Sequence, residues 1–241
     1  MAGDDTTPEG EQVNIYGNHV GSWNFAATAY LNRWKVKIYY EHYFDDHSQM
    51  FFQYGRWKDG HIGLEITFPK NRFIDTFVYE GLGTKDQTGP MLYDSFWGEF
   101  EEQISAKDNY YNHYLYQGWQ HWGMGIGNPL LPGPIYNKNG QITFISNRVL
   151  AHHIGFCGSP CQSLSYRMLL SYSRHWGTYD NPLNEIKKQF NSLFEVTYAP
   201  QQLKGWSFTV SGAMDRGNLL GNNYGGMLVI RKQGIIKSGN K

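Results

Sequence analysis

The stretch WKVKIYYEHYF, residues 34–44, decides the fold class of this chain. Apolar and aromatic side chains recur there at every second position, namely Trp34, Val36, Ile38, Tyr40, His42 and Phe44. The positions between them carry Lys35, Lys37, Tyr39, Glu41 and Tyr43. A period of two is the repeat of a β-strand, because successive side chains of a strand point to opposite faces. The stretch therefore predicts a strand with one apolar and one polar face.

The same alternation recurs along the chain and predicts nine strands. A strand over residues 23–31 comes first, and the tight turn Asn32-Arg33 joins it to the second. Further strands are predicted over residues 62–68, 73–82, 141–157, 163–174, 190–198, 205–215 and 224–233. Helical periodicity is nearly absent. The sequence predicts an all-β, antiparallel fold in which residues 1–241 form a single domain and residues 83–140 form one long outer loop.

The composition excludes some classes of protein. The 241 residues include 21 basic and 21 acidic side chains, so the formal net charge is zero. Nucleic acid is excluded as an expected partner, because neutralising phosphates needs a clustered basic excess. Aromatic residues make up 17% of the chain, and charged residues also 17%, below the roughly 25% of an ordinary soluble domain. This balance is typical of all-β proteins, outer-membrane barrels among them.

Strand lengths and connection lengths favour a membrane barrel over a soluble β fold. Several predicted strands reach about 10 residues, the length that a tilted membrane-crossing strand needs. In chain order, short turns alternate with longer loops, as in a barrel with one end toward the periplasm and the other toward the outside. The sequence therefore predicts an up-and-down outer-membrane β-barrel of nine or ten strands. A soluble sandwich is the alternative.

The number of strands leaves two possibilities for the barrel. Nine is odd, whereas bacterial single-chain barrels have even numbers of strands. Either residues 12–16 form a tenth strand, or the chain is the C-terminal portion of a larger barrel. The acidic and polar opening of the chain does not match a signal peptide. An outer-membrane location therefore requires that an export signal has been removed, and a cytoplasmic protein is the alternative.

The long connection over residues 83–140 carries the strongest functional signal. It holds eleven aromatic residues, which makes disorder unexpected because such a segment can bury enough surface to offset the cost of ordering. Aromatic rings stack on the apolar faces of sugars, while carboxylates and amides bond sugar hydroxyls. The predicted polysaccharide-binding residues are Trp119, Trp122, Tyr110, Tyr111, Asp108, Asn109 and Asn112. The alternative is that these aromatics only pack the loop onto the mouth of the barrel.

The polar faces of the strands predict the residues that line the barrel. In a membrane barrel the apolar face meets lipid, and the lumen face tolerates charges and hydroxyls. The predicted lumen-lining residues are Lys35, Lys37, Glu41, Arg148, His152, Arg167 and Glu195.

Two cysteines flank Gly158-Ser159-Pro160, a trio that favours a turn between two predicted strands. In an exported protein, a disulfide between Cys157 and Cys161 would close this hairpin. Two free thiols are the alternative in the cytosol.

No motif supports catalysis, a cofactor or a metal. His152 and His153 are adjacent on a predicted strand, so they point to opposite faces and cannot chelate one ion. The chain has no HExxH metal motif and no G-x-S-x-G nucleophile elbow. The glycine-rich residues 123–127 lack the strand, helix and lysine of a phosphate-binding loop. We therefore expect a protein that is not an enzyme.

Several stretches resemble a known family as a set. They are residues 17–24 (GNHVGSWN), 108–112 (DNYYN), 118–123 (GWQHWG), 126–130 (IGNPL), 147–153 (NRVLAHH), 171–179 (SYSRHWGTY) and 215–217 (DRG). Their order and spacing are similar to the C-terminal half of the capsule assembly Wzi family, particularly its Bacteroidetes-type members. The resemblance covers nearly the whole chain from residue 17 and about half of a family-length protein. The paired cysteines are not a feature of that family.

The resemblance implies a non-enzymatic protein of the bacterial outer membrane that holds capsular polysaccharide at the cell surface. Its expected partners are capsular or other surface polysaccharide, outer-membrane lipid, and other chains if they complete a larger barrel. An outer-membrane channel or a subunit of a nutrient importer, with the aromatic loop as a plug, is the alternative function. A glycan-processing enzyme with paired carboxylates in the loop is a third hypothesis.

Overall fold

The computed structural model describes residues 21–44, 59–71, 73–87, 91–93, 103–105, 109–112, 120–125 and 128–234. These parts of the chain are all-β and antiparallel, with a single 3-10 turn over Pro134–Tyr136. They contain no helix long and apolar enough to cross a membrane.

The strands follow one another in a simple meander. In chain order they are β1 (Gly21–Leu31), β2 (Trp34–Phe44), β3 (Gly60–Thr67), β4 (Thr76–Gly83), β5 (Met91–Tyr93), β6 (Gln103–Ser105), β7 (Gln120–His121), β8 (Met124–Gly125), β9 (Val149–Cys161), β10 (Leu164–Gly177), β11 (Pro182–Tyr198), β12 (Trp206–Gly217) and β13 (Asn223–Lys232). Nine of them form one sheet in the order β1-β2-β3-β4-β9-β10-β11-β12-β13. The pairs β5–β6 and β7–β8 are separate ribbons within the connection from β4 to β9. In the described strands, β1 and β13 are the two edges of the sheet and do not pair with each other.

The register divides the sheet into an apolar face and a polar face. Residues directly opposite one another on antiparallel strands point to the same side, so each pairing extends a face by one strand. Ile38 pairs with Ala27 on one side and with Leu64 on the other, which starts the apolar face. The apolar face continues with Phe77, Ile154, Leu170, Phe194, Val210 and Leu228.

Large side chains on the apolar face remain exposed. Ile38 is 55% exposed, Val210 60% and Leu228 65%. The other exposed large residues of this face are Trp23, Phe25, Leu31, Trp34, Ile62, Ile154, Tyr172, Ile186, Phe194, Tyr198, Trp206, Tyr224 and Ile230. A soluble monomer rarely exposes a continuous apolar patch of more than a few hundred Å². An apolar surface that runs across the nine strands of the sheet is therefore outside the range of ordinary soluble domains.

The buried core lies on the opposite side of the sheet. Leu82, Val149 and Ala151 point from the polar face toward the connection between β4 and β9. Leu131 and Phe144 of that connection complete the cluster, and none of the five is more than 7% exposed. The described residues of the connection therefore pack on the polar face, around Leu82, Val149 and Ala151, and not on the apolar face.

The strand bounds differ most from the sequence prediction in two places. β9 begins at Val149, whereas a strand was predicted from residue 141, and residues 141–148 are irregular. The loop predicted over residues 175–189 is a turn over 178–181, because β10 and β11 extend toward each other. This turn is shorter than the connection over 199–205, so the predicted alternation of short and long connections holds only for the first half of the sheet. The sequence signal fails over 182–189 because polar residues occupy both faces there.

The predicted disulfide between Cys157 and Cys161 is wrong, and both thiols are free. β9 runs through Cys161, and the hairpin turns at residues 162–163. Four steps along an extended strand span about 13 Å, well beyond the roughly 4.4–6.8 Å between the Cα atoms of a disulfide. Ser159 and Pro160 together face Ser165, and this β-bulge accommodates the proline that favoured a turn.

We expect both cysteines of the native protein to be alkylated without prior reduction. Cys161 is exposed and Cys157 half-buried, so Cys161 should react first. Intact mass after iodoacetamide treatment measures the number of modified thiols, with Cys161→Ser as the control for assigning the fast site. Alkylation that appears only after reduction would contradict this expectation.

Candidate functional site

A row of polar side chains crosses the polar face from β2 to β13. Direct pairing aligns Tyr39, Gly63, Glu80, His153, Ser171, Asn191, Asp215 and Asn223 in this polar row. Tyr39 donates a hydrogen bond to the Glu80 carboxylate. His153 Nδ1 lies 2.7 Å from Ser171 Oγ. The row is therefore a chain of hydrogen-bonding groups on adjacent strands.

Gly63 allows Tyr39 to reach its partner. The two residues are directly opposite each other, and the tyrosine ring lies over the glycine backbone. A Cβ at Gly63 would lie 2.0 Å from the nearest ring atom, so no larger residue fits without moving the ring. The glycine thereby positions the phenol beside Glu80 on the next strand.

A histidine between two carboxylates lies beside the polar row. His61 Nε2 is 3.5 Å from Glu80 Oε1, and His61 Nδ1 is 3.8 Å from Glu41 Oε2. Ser22 Oγ donates to Glu41 Oε1 at 2.6 Å. The side chains of Glu41 and Glu80 remain 29% and 30% exposed, so both carboxylates are accessible to a ligand.

A cavity of about 730 Å³ lies between this part of the polar face and the connection that packs on it. Its polar lining includes Glu41, His61, Glu80, His153 and Ser171, and its apolar lining includes Val78, Leu82 and Leu169. The connection contributes Tyr110, Tyr111, Asn128 and Pro129. The volume is within the roughly 300–1,000 Å³ of small-molecule sites, so the space is large enough for a ligand.

Asn147 fixes the connection above the cavity. Its buried Nδ2 donates to Asn109 Oδ1 at 2.7 Å and to the Tyr110 carbonyl at 2.6 Å. Its Oδ1 accepts a hydrogen bond from Gln87 Nε2 at 2.7 Å. One side chain thus joins three segments of the connection that are far apart in sequence.

Further hydrogen bonds hold the same segments. Tyr110 donates from its hydroxyl to Asp59 Oδ2 at 3.1 Å. Asn112 donates to the Phe144 carbonyl at 2.7 Å and accepts from the Phe144 amide at 2.8 Å. Because these groups are buried or half-buried, leaving any of them without a partner would cost free energy.

This network corrects part of the predicted polysaccharide platform. Asn109, Tyr110 and Asn112 use their side chains to hold the connection together. Tyr110 is only 6% exposed, so its ring is not available to stack on a sugar. For Tyr110 the packing alternative describes the structure, whereas Asn109 and Asn112 are only half-buried. The sequence could not separate the two roles because aromatic and amide groups serve both.

The other members of the platform have different positions. Tyr111 packs on Phe144, with ring centroids 4.9 Å apart, and lines the cavity. Trp122 is 86% exposed. Asp108 and Trp119 lie outside the described residues.

Trp122 projects from a rigidly held turn. It forms the tip of the β7–β8 ribbon with Gly123, and the φ angles of the two residues are 52° and 77°. Two positive φ angles are typical of a type I′ turn, although a bulky residue rarely adopts one. The Gly123 carbonyl accepts a hydrogen bond from the Ile135 amide at 2.9 Å, which ties the turn to the 3-10 segment. The indole is therefore exposed on a fixed backbone.

Most predicted lumen-lining residues lie on the polar face. Lys37 lies over the Tyr39 ring, and Glu41 lines the cavity. Lys35 pairs with Glu65 at 3.5 Å, and Arg167 pairs with Glu195 at 3.3 Å. These polar-face residues therefore share one surface of the sheet, as their alternation indicated.

The prediction for His152 is wrong. His152 pairs with Tyr172 on the apolar face, and its Nδ1 lies 2.8 Å from the Tyr79 hydroxyl. The prediction placed it beside Arg148, but Arg148 precedes β9 and lies against Lys85 and Tyr179. The alternation of faces holds only within a strand, so the position of Arg148, which lies outside β9, does not indicate which face of β9 is polar. Of this adjacent pair, His153 is the histidine on the polar face.

Several cavity residues were not singled out by the sequence, namely His61, Glu80 and Ser171. They lie on three different strands, and only the register brings them together. The alternation of side chains around Leu64 and Val78 predicts which face each residue occupies. The register between neighbouring strands cannot be predicted from the sequence.

Within the described residues, no group of three or more His, Cys, Asp or Glu side chains is arranged to hold a metal ion. No protein-family model, curated protein or solved structure matches the chain. Function therefore has to be argued from the two faces of the sheet, the connection and the cavity.

Removing the Asn147 side chain should loosen the connection while the sheet stays intact. Asn147→Ala leaves the buried Gln87 amide and the half-buried Asn109 amide without this partner, and an unsatisfied buried group costs roughly 1–3 kcal/mol. Hydrogen–deuterium exchange should rise over residues 109–112 and 141–148 but not over β10 to β12. Asn139→Ala, an exposed asparagine of the same connection, is the control. Equal protection in both variants would contradict the assigned role.

Proposed function

We propose that this chain is an outer-membrane β-barrel protein, or the C-terminal portion of one, that binds surface polysaccharide, capsular in kind, without altering it chemically. The observation that carries the proposal is that the connection packs on the polar face of the sheet and not on the apolar face. The described residues of the connection between β4 and β9 pack on one end of the polar face, whereas large apolar side chains on the opposite face of the sheet stay exposed. In water the opposite arrangement would be favoured, since burying apolar surface contributes about 25 cal/mol per Å².

Lipid is the solvent that fits this arrangement. Strands cross a bilayer only in closed barrels, because open edges leave backbone groups without hydrogen-bond partners. The edges β1 and β13 therefore have to pair, either with each other or with further strands, before the sheet can enter a membrane. Lumenal polar groups and a connection folded against them are common in such barrels.

The polysaccharide part of the proposal rests on Trp122 and on the resemblance to the capsule assembly Wzi family. An exposed indole on a fixed turn offers a flat surface for the apolar face of a sugar. One ring contributes little, of the order of the 0.5–1.5 kcal/mol of an aromatic pair. Useful affinity therefore requires several repeats of a polymer to engage at once. A channel is the competing function, and steady conductance of the purified protein in planar bilayers would favour it.

An arginine on the apolar face should impair insertion, whereas an arginine on the polar face should not. We expect Val210→Arg to destabilise the membrane-inserted protein by roughly 2–4 kcal/mol, the cost of a cation near the bilayer midplane. Thr209→Arg places the same side chain on the adjacent residue of the opposite face and is the matched control. Urea titration of protein folded into lipid vesicles, followed by heat-modifiable electrophoresis, measures the difference. Similar destabilisation by both variants would argue against a lipid-facing assignment.

Removing the Trp122 ring should weaken polysaccharide retention at the cell surface. Trp122→Ala should release capsular polysaccharide from cells into the medium while the protein still reaches the outer membrane in normal amount. Ile142→Ala is the control, because Ile142 is an exposed apolar residue of the same connection without an aromatic ring. Retention by Trp122→Ala equal to that of the parent would remove Trp122 from the binding surface.

A further inference from the structure

We propose that the cavity beneath the connection is a second glycan site, and that it accepts an uncharged stretch of sugar in preference to an acidic one. This inference rests on the proposed polysaccharide binding and adds the class of sugar. Trp122 does not line the cavity, so the two sites are separate in the structure.

The carboxylates provide the strongest acceptors of the cavity. Glu41 and Glu80 both line it and are each about a third exposed. Each carboxylate has internal partners, Ser22 for Glu41 and Tyr39 for Glu80, which hold it in place before a ligand arrives. Hydrogen bonds from sugar hydroxyls to a carboxylate are charge-assisted and roughly twice as strong as those between neutral groups.

The apolar part of the lining suits the other side of a sugar ring. Val78 and Leu169 belong to the row of residues next to that of Glu80 and His153 on the same face of the sheet. Apolar and polar side chains of the lining are therefore only two residues apart along a strand. Tyr111 faces them from the connection and is itself packed on Phe144. Pyranose rings carry hydroxyls at the edge and C–H groups on the faces, and this lining offers a partner for each.

The charges of the lining determine which sugars fit. Its cationic side chains are Arg167 and, when protonated, His61 and His153. Arg167 is paired with Glu195, and His61 lies between Glu41 and Glu80. A uronate or phosphate in the cavity would therefore lie near two carboxylates, while the arginine is already engaged. Like charges in a partly desolvated site are unfavourable, which selects for neutral sugars.

Two pairs of variants test the cavity, each with a matched control outside it. Leu169→Trp fills the cavity, whereas Leu193→Trp adds the same side chain directly across the strand pair on the same face but outside the lining. Glu80→Gln removes one negative charge from the cavity lining. Glu65→Gln removes one negative charge from a polar-face residue that does not line the cavity. Heat-modifiable electrophoresis selects the variants that fold.

The detergent-solubilised protein is applied to an array of purified bacterial polysaccharides, half of them neutral and half rich in uronic acid. We expect the parent protein to favour the neutral set. Leu169→Trp should reduce binding of neutral glycans by about tenfold or more. Glu80→Gln should also reduce binding of neutral glycans, and it should reduce the ratio of neutral to acidic glycan binding. The control variants should bind as the parent does. A merely structural role of Glu80 would not change the preference between neutral and acidic glycans.

Three results would overturn the inference, and they differ in what they mean for the proposed function. If the cavity variants bind as the parent does while Trp122→Ala loses binding, the cavity is not a glycan site and surface binding stands. If the parent binds no glycan of either set, the proposed function fails together with the cavity site. A parent protein that prefers acidic glycans would also overturn the proposed selectivity.

Discussion

The fixed register of nine antiparallel strands is the constraint on which the rest of the structure depends. Side chains alternate with a period of two, so a slip of one residue would move Lys37 and Glu65 onto the apolar face. Direct pairing of Ile38 with Leu64 keeps these charges on the polar face, and the pairings of the later strands continue the same two faces as far as β13. Every later feature uses this order: the continuous apolar face, the polar row and the place where the connection can pack.

The connection between β4 and β9 follows from the polar face that the register creates. Leu82 and Ala151 interrupt the polar side chains near one end of the sheet, and Leu131 and Phe144 pack on them. Asn147 then satisfies backbone and side-chain groups that this packing removes from water. The connection thus packs on a small apolar patch of the polar face, and the hydrogen bonds of the buried Asn147 amide hold its segments together. The cavity is the space that remains where charged residues replace the apolar patch.

The all-β, antiparallel class and most of the strands were predictable from the sequence because their signal is local. Alternation over residues 34–44 and 206–215 gives strand type and face without knowledge of any partner. The site was predictable only in part. Trp122 could be identified as a candidate from its surroundings, but the roles of Tyr110 and Asn112 depend on Asp59 and Phe144, which are distant in sequence. Cys157 and Cys161 show the same limit, since Gly-Ser-Pro forms a bulge within a strand as well as a turn.

The two candidate glycan sites depend on one segment of the chain. Tyr111, which lines the cavity, and the turn that carries Trp122 both belong to the connection, and neither position is fixed by the sheet alone. Ordering this segment costs conformational entropy, roughly 1–2 kcal/mol per residue for the backbone, and the buried network around Asn147 offsets part of it before any ligand binds. A polymer that meets a surface already ordered does not have to supply that free energy. Weak contacts of single sugars could then add along a polymer, which is what the proposed retention of a long polysaccharide by an exposed indole and a cavity would require.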